Sequence, residues 1–316
     1  ASRRMRGEAE LPSLEEPSER SNMLELSHVT KSYGAHRVLN DLSFAVRPGR
    51  LTGFVGGNGA GKTTTMRIIL GVLAKDAGSV TINGAALTSA DRRRFGYMPE
   101  ERGLYPKMKV GEHITYLARL HGFDKGEAET RATALLEQLG LGERLNDTVE
   151  KLSLGNQQRA QIAAALVHEP DVLILDEPFS GLDPLAVDVV ADVLHRRAAA
   201  GVSVLFSSHQ LDVVERLCDD IVIIAGGEIR AAGSSEHLRQ QHSGHRYELR
   251  TAGDLGWLRD QPDITVVEFD GGNALFDAAD DAAAQRILQR AASEASIESF
   301  APVRPTLAQI FKEVIQ

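Results

Sequence analysis

Apolar and polar residues alternate near the start of the chain, as they do in half-buried β-strands. The segments MLELSHVT, at 23–30, and VLNDLSFAV, at 38–46, both follow this pattern. The run LTGFV, at 51–55, is continuously apolar, stops at a glycine cluster and precedes a helical pattern at 62–73. The pattern predicts antiparallel strands followed by a strand, a loop and a helix.

The middle of the chain has two different patterns. Segment 110–139 is mostly helical by periodicity, with predicted interruptions at Gly122 and Gly126. After it come three continuous apolar runs separated by helical stretches, which is typical of parallel strands covered on both faces. These runs are VLILD at 172–176, VSVLF at 202–206 and IVIIA at 221–225. No apolar stretch approaches the roughly 18 to 20 residues that a membrane-spanning helix needs.

The length of 316 residues favours about two domains. Residues 1–22 mix arginine, glutamate and proline without an apolar centre, so we expect a disordered extension rather than a secretory signal. Beyond about residue 240 the pattern changes to short strand-like pieces and an alanine-rich helix at 280–296. We therefore predict a main domain at 23–240 and a small α/β domain at 245–316. We also expect removal of 245–316 to leave nucleotide binding intact, because no nucleotide motif lies there.

The composition and net charge of the chain argue against several classes of function. With 42% hydrophobic and 25% charged residues, the chain is typical of a globular protein with a buried core. A net charge of −9 argues against a protein whose main task is binding nucleic acid. The single cysteine excludes an internal disulfide and a zinc site built from cysteines.

The segment GGNGAGKT fits the phosphate-binding pattern GxxxxGK[ST], and it lies between a predicted strand and a predicted helix. Glycines allow backbone N–H groups to point at a wrapped phosphate chain, and the helix N-terminus adds partial positive charge. We expect Lys62 to meet the β- and γ-phosphates of a wrapped triphosphate and Thr63 to meet Mg²⁺. The predicted phosphate-binding residues are Gly56, Gly57, Asn58, Gly59, Ala60, Gly61, Lys62, Thr63 and Thr64.

Two acidic residues lie at the end of the apolar run VLILD: Asp176 is its last residue, and Glu177 follows it. Asp176 and Glu177 would lie at the carboxyl end of a buried strand, where open α/β sheets hold ligands. By themselves they could be two solvated acids at a strand end. Beside a phosphate-binding loop, Asp176 is predicted to hold Mg²⁺ and Glu177 to act as the general base.

With these residues in place, segment 23–240 resembles the nucleotide-binding subunit of ABC transporters, because its motifs occur in that family's order. Tyr33 in KSYG resembles the aromatic residue that stacks on adenine, and LSLGNQQR, at 152–159, resembles the signature motif. SGLDP, at 180–184, resembles the D-loop, and His209 in SSHQ resembles the switch histidine. Each motif alone has an ordinary structural explanation, such as packing or helix capping. Their order is what favours the family.

The resemblance implies an α/β fold: a P-loop ATPase core of mixed sheet, with an antiparallel β subdomain and a helical signature subdomain, plus the C-terminal domain. It implies that Glu177, His209 and Lys62 are catalytic. It adds further nucleotide-contacting residues to the phosphate-binding loop, namely Tyr33, Glu100, Ser153, Gly155 and Asp183. The implied Mg²⁺ residues are Thr63, Asp176 and Glu100.

Two departures from the family pattern stand out. The signature has Leu154 and Asn156 where glycine and glutamine are common. The segment GYMPEERGLYPKMKV has Glu100 where glutamine is usual, so three carboxylates are predicted to crowd one ion. This segment is similar to a branch of ABC ATPases that serve sodium, drug or other small-solute exporters with separate membrane subunits.

The resemblance also implies partners. A second ATPase subunit would bind head-to-tail, with ATP sandwiched between the phosphate-binding loop of one copy and Ser153 and Gly155 of the other. Separate multi-span permease subunits would hold the protein at the cytoplasmic face of the membrane, and no nucleic acid partner is expected. The alternatives are a soluble ABC ATPase acting on ribosomes or nucleic acid, and an importer ATPase.

Overall fold

The computed structural model describes residues 22–101 and 103–315. The predicted extension at 1–22 lies outside this range except for Asn22, and the predicted α/β class is confirmed. Among the described residues, no helix combines the length and apolar composition needed to cross a bilayer.

The strands are β1 (Leu24–Tyr33), β2 (His36–Val46), β3 (Leu51–Val55), β4 (Ala77–Ile82), β5 (Ala85–Ala86), β6 (Phe95–Met98), β7 (Val172–Leu175), β8 (Ser203–Ser208), β9 (Asp220–Ala225), β10 (Glu228–Ser234), β11 (Arg246–Thr251), β12 (Ile264–Asp270), β13 (Asn273–Ala278) and β14 (Ile297–Pro302). The α-helices are α1 (Lys62–Ile69), α2 (Ser89–Arg92), α3 (Val110–Leu120), α4 (Lys125–Gln138), α5 (Leu154–Leu166), α6 (Pro184–Ala199), α7 (Leu211–Leu217), α8 (Ser235–Gln241), α9 (Asp281–Glu294) and α10 (Leu307–Val314).

A six-stranded sheet of order β10-β9-β3-β8-β7-β6 forms the centre of the molecule. Strands β9, β3, β8, β7 and β6 run parallel, and only β10 is antiparallel to its neighbour. Every residue of β3, β7 and β8 is buried, as their continuous apolar runs predict. Because these strands are parallel, the segments that follow β3, β6, β7 and β8 emerge at one edge of the sheet.

A second sheet, of order β2-β1-β4-β5, is antiparallel and covers one face of the central sheet. Its strands pair with Leu24 opposite Val46 on one side and opposite Ile82 on the other. Leu24, Phe54 and Ile174 share one core cluster, so this sheet and the central sheet are packed together. The helices α3, α4 and α5 share the core on the other face.

Two helix predictions need correction at their ends. The helix predicted at 62–73 ends at Ile69, because Gly71 has a φ of +73° that no helix continues through. The predicted break at Gly122 is correct, and its φ is +100°. Gly126, however, lies inside α4, which begins earlier because the Asp124 side chain accepts a hydrogen bond from the N–H of Glu127 at 2.9 Å.

The C-terminal part contains a third sheet of order β12-β13-β11-β14, with α9 packed on it. It has its own core, which includes Leu249, Phe276 and Ile287. The last helix, α10, behaves differently, because its buried residues Leu307 and Ile310 belong to the large core of the central sheet. The division into 23–240 and 245–316 stays a prediction, and α10 connects the two segments.

Two arginines converge on one buried carboxylate at the start of β9. Arg47 Nε and Arg50 Nε donate to Asp220 Oδ2 at 2.9 and 2.8 Å, and Arg50 Nη2 donates to Oδ1 at 2.9 Å. The hydrogen bond to Asp220 raises the pKa of Arg47. Asp220 is only 4% exposed, whereas the side chains of Arg47 and Arg50 are 46% and 36% exposed. A buried carboxylate is thus paired with two arginines at the surface, and these hydrogen bonds link β2 and β3 to β9.

We expect Asp220→Asn to lower the free energy of unfolding by about 1.5 to 3 kcal/mol, the range for hydrogen bonds to charged groups. Urea unfolding measures this change. The matched control is Asp188→Asn, which breaks an exposed ion pair with Arg216 and should change the free energy of unfolding by less than about 1 kcal/mol. Equal losses in the two variants would contradict the role given to Asp220.

Candidate functional site

The predicted phosphate-binding loop follows β3 directly and turns into α1. Gly61, which precedes α1, has a φ of +111°, and a Cβ placed on it would lie 2.5 Å from Leu39 Cδ2. A Cβ on Gly56 would lie 2.5 Å from the carbonyl oxygen of Ile224. These two positions therefore require glycine, for backbone conformation in one case and for close packing in both.

Lys62 lies at the first position of α1 and is only 8% exposed. Its Nζ donates to the carbonyl oxygens of Gly56 at 2.6 Å and Gly57 at 3.2 Å. The ammonium group is thus held inside the loop, beside the N–H groups at the start of α1. A cation at this position next to a helix N-terminus suits an anionic ligand.

Asp176 follows β7 and is 1% exposed. One carboxylate oxygen accepts from Thr63 Oγ1 at 2.9 Å, and the other accepts from Ser207 Oγ at 2.5 Å. A carboxylate and a hydroxyl beside a phosphate-binding loop are oxygen ligands of the kind Mg²⁺ prefers, so these residues fit that ion. Burial raises the pKa of Tyr97, on the neighbouring strand β6, and the charge of Asp176 adds to this rise.

Glu177, the next residue, faces His209, the predicted switch histidine. Its carboxylate lies 2.9 Å from His209 Nδ1, and its side chain is 10% exposed against 57% for His209. The backbone N–H of Glu177 donates to Ser207 Oγ at 2.9 Å. The Ser207 hydroxyl therefore contacts both the Asp176 carboxylate and the Glu177 backbone N–H, and it holds both residues in place relative to β8.

These groups surround one cavity of about 830 Å³ at the carboxyl edge of the central sheet. Most predicted site residues line this cavity. His36 and Val38, at the start of β2, line it too, and no motif pointed to them. The lining consists of Tyr33, His36, Val38, Asn58, Gly59, Ala60, Gly61, Lys62, Thr63, Thr64, Glu100, Asp176, Glu177 and His209.

Glu100 also lines the cavity, on the exposed loop after β6. The predicted crowding of three carboxylates around one ion is not found. Among the residues that the structure describes, no group of three or more histidine, cysteine or acidic side chains is arranged to hold a metal. Asp176 and Thr63 are joined by a hydrogen bond, so they form the better-supported pair of Mg²⁺ ligands. The role of Glu100 as a ligand stays a prediction.

Ser153, Gly155 and Asp183 do not line this cavity. Ser153 caps α5 by accepting from the N–H of Asn156 at 3.3 Å, and Asp183 caps α6 by accepting from the N–H of Ala186 at 2.9 Å. A Cβ on Gly155 would lie 3.4 Å from the carbonyl oxygen of Gly181, so the predicted signature and D-loop are neighbours. Together they form a second polar surface, outside the cavity of their own chain.

Comparison with known proteins identifies the family. The family described as "ABC transporter" matches residues 39–180, and "ATP-binding protein DrrA1-3-like, C-terminal domain" matches 233–315. The ABC transporter ATP-binding protein YhaQ of Bacillus subtilis is 36% identical over 293 residues, covering 93% of this chain and 98% of YhaQ. The chain belongs to the family of ABC transporter ATP-binding proteins. The predicted resemblance is therefore confirmed, and the ATP-binding function with it.

Two further relatives of this ABC ATP-binding protein have more specific names. The linearmycin resistance ATP-binding protein LnrL of Bacillus subtilis is 36% identical, covering 68% of this chain and 70% of LnrL. The Nod factor export ATP-binding protein I of Cupriavidus pinatubonensis is 38% identical, covering 68% of this chain and 67% of that protein. Both comparisons stop short of the full length of this chain.

A solved structure of an ATP-binding subunit of an ABC transporter is 36% identical, with a TM-score of 0.64, and covers 69% of this chain and 92% of that one. A second structure, cbiO1 from Clostridium perfringens, part of the ABC transporter complex cbiONQ, is 24% identical with a TM-score of 0.63. It covers 69% of this chain and 90% of that chain and supports the fold. The predicted fold of this ABC ATP-binding protein, a P-loop ATPase core, is thus confirmed.

Proposed function

We propose that this protein hydrolyses ATP in the presence of Mg²⁺ and uses the reaction to power export of a solute through separate membrane subunits. The observation that carries hydrolysis is the convergence of Lys62, Thr63, Asp176, Glu177 and His209 on one cavity. ATP binding by itself would need only the Lys62 ammonium group and the N-terminus of α1. A buried carboxylate in contact with a histidine at the same cavity adds the group that proton transfer needs.

In the proposed mechanism, Lys62 and the first N–H groups of α1 bind the β- and γ-phosphates. Thr63 and Asp176 would hold Mg²⁺, which would supply positive charge to the phosphate oxygens. The Glu177 carboxylate accepts a proton from the attacking water. His209, 2.9 Å from that carboxylate, orients it and reaches toward the γ-phosphate. Tyr33, which is 51% exposed at the rim of the cavity, provides a face on which adenine stacks.

The proposed dimer follows from the separation of the two polar surfaces. Ser153 and Gly155 lie outside the cavity of their own chain, and Ser153 begins α5 with N–H groups suited to an anion. A second copy arranged head-to-tail would bring this surface to the γ-phosphate held by the first. Leu154, within the signature, and Leu185, next to the D-loop, are 59% and 79% exposed and would be covered in the same contact.

Export through separate permeases is supported by the names of two relatives, which refer to linearmycin resistance and Nod factor export. The permease partners would place the protein at the cytoplasmic face of the membrane. Copurification with a multi-span membrane protein encoded beside the gene, with ATP hydrolysis stimulated in the complex, is the expected result. Copurification with ribosomes instead would overturn the proposal.

We expect the Glu177→Gln protein to form a dimer in ATP and to remain largely monomeric without nucleotide, because bound ATP joins the copies and slow hydrolysis keeps it there. Light scattering measures the mass in each state. The control adds Ser153→Arg, which blocks the signature surface of each copy but lies outside the cavity, so ATP still binds and the dimer is lost. A Glu177→Gln protein that binds ATP tightly yet stays monomeric, alone and with its permease, contradicts the sandwich.

A further inference from the structure

Glu177 has an unusual backbone for the proposed general base. Its φ is +53°, in the left-handed region that residues other than glycine rarely occupy. A rotation of this peptide would swing the carboxylate away from His209. The surrounding structure must therefore fix the backbone on both sides of the residue.

The two sides are held by different elements. On the amino side, the Glu177 N–H donates to Ser207 Oγ on β8. On the carboxyl side, Gln158 Nε2 donates to the Glu177 carbonyl oxygen at 2.9 Å and to the Pro178 carbonyl oxygen at 3.2 Å. Gln158 lies on α5 and is 3% exposed, so water does not replace it as a donor.

From this geometry we propose that Gln158 is a positioning residue for Glu177. Its side-chain amide fixes the peptide after Glu177 and thereby aims the carboxylate at the attacking water. Gln158 also lies on the helix that Ser153 caps, so α5 joins the signature to the general base within one chain. The same helix holds the loop around Glu100, because Gln161 Nε2 donates to the Pro99 and Glu101 carbonyl oxygens at 3.2 and 3.1 Å.

This inference rests on the proposed hydrolysis and is tested separately from it. Gln158→Met keeps the length of the side chain and removes both N–H donors. We expect kcat for ATP to fall by about 10- to 100-fold, the scale of misplacing a reacting group by roughly 1 Å. The KM for ATP should change less than about twofold, because Gln158 does not line the cavity.

The deciding measurement is a double-mutant cycle with Glu177→Gln, read in single-turnover hydrolysis. If Gln158 acts through Glu177, the Gln158→Met change should add less than about twofold to the loss already caused by Glu177→Gln. An ATP-dependent dimer of the double variant, seen by light scattering, would show that the signature end of α5 is intact.

The matched control is Gln261→Met. Gln261 lies in the C-terminal part of the chain, outside both the cavity and the signature, and its Nε2 donates to the Trp257 carbonyl oxygen at 3.5 Å. We expect kcat to change less than about threefold, because this hydrogen bond does not reach Glu177. A further variant, Gln158→Asn, keeps the amide but is too short to reach both carbonyl oxygens, so it should lose kcat as Gln158→Met does. It serves in place of the methionine variant if that protein does not fold.

Three results would overturn the role of Gln158 while leaving hydrolysis in place: wild-type kcat in Gln158→Met, wild-type kcat in Gln158→Asn, or a full further loss on the Glu177→Gln background. A wild-type protein that shows no hydrolysis, alone or with its permease, would instead contradict the proposed function.

Discussion

Replacing Glu177 by glutamine is expected to lower ATP hydrolysis by about 10²-fold or more, the scale of removing a general base. ATP should still bind, because Lys62 and the phosphate-binding loop are unchanged. The Glu177 carboxylate is nearly buried and lies 2.9 Å from His209 Nδ1, and glutamine keeps its shape while losing its ability to accept a proton. Steady-state hydrolysis and nucleotide binding, measured on the same preparation, check both halves of the result.

Glu100→Gln is the matched control, since it removes the same charge from the same cavity. Glu100 is exposed and is not joined to Asp176 and Glu177 in a metal-binding group within the described chain. We expect substantial hydrolysis to remain. The concentration of Mg²⁺ needed for hydrolysis should fall, because one negative charge is removed from a cavity that holds Asp176 and Glu177.

Comparing the two variants at saturating Mg²⁺ separates electrostatics from proton transfer. If Glu100→Gln were as inactive as Glu177→Gln, with ATP still bound, Glu177 would not be the sole base. An unchanged Mg²⁺ requirement in Glu100→Gln would show that the exposed carboxylate does not interact with the ion.

The sequence was sufficient to predict which end of the sheet carries the candidate site. Continuous apolar runs predicted β3, β7 and β8. The first residues after these strands are Gly56, Asp176 and His209, so parallel pairing brings them to one edge. The phosphate-binding loop could be predicted because its spacing and its glycines are local requirements. For such residues, neighbours along the chain and a single rule of sheet geometry are enough.

The residues that the sequence did not predict act across long separations. Ser207 lies 31 residues from Asp176, and Gln158 lies 19 residues from Glu177. Neither forms part of a spacing pattern with the acid that it contacts. Ser207 could have been suspected, since it lies near the carboxyl end of the parallel strand β8, two residues before His209. Nothing in the sequence distinguishes Gln158 from Gln157, because only the direction of each side chain on α5 decides which one reaches the site.

The role of α10 was likewise not predicted. Its residues Leu307 and Ile310 share a core with Val213, Val214 and Leu217 of α7, the helix that follows His209. That helix packs against β3, where a Cβ placed on Gly53 would lie 2.6 Å from Val214 Cγ1. Removal of 245–316 would therefore uncover α7 as well as remove the third sheet. Substitutions within α10 test this contact more cleanly.

We expect Ile310→Ala to lower the free energy of unfolding by about 2 to 5 kcal/mol, because the large-to-small change leaves a cavity between α10 and α7. Ile310 is 1% exposed, whereas Lys312, two residues later, is exposed, so Lys312→Ala serves as the control and should change stability by less than about 0.5 kcal/mol. Urea unfolding followed by circular dichroism measures both. If α10 were only a tail on the third sheet, Ile310→Ala would match Lys312→Ala. In a folded Ile310→Ala protein we expect ATP affinity to be retained, because the nucleotide cavity contains no residue of α10.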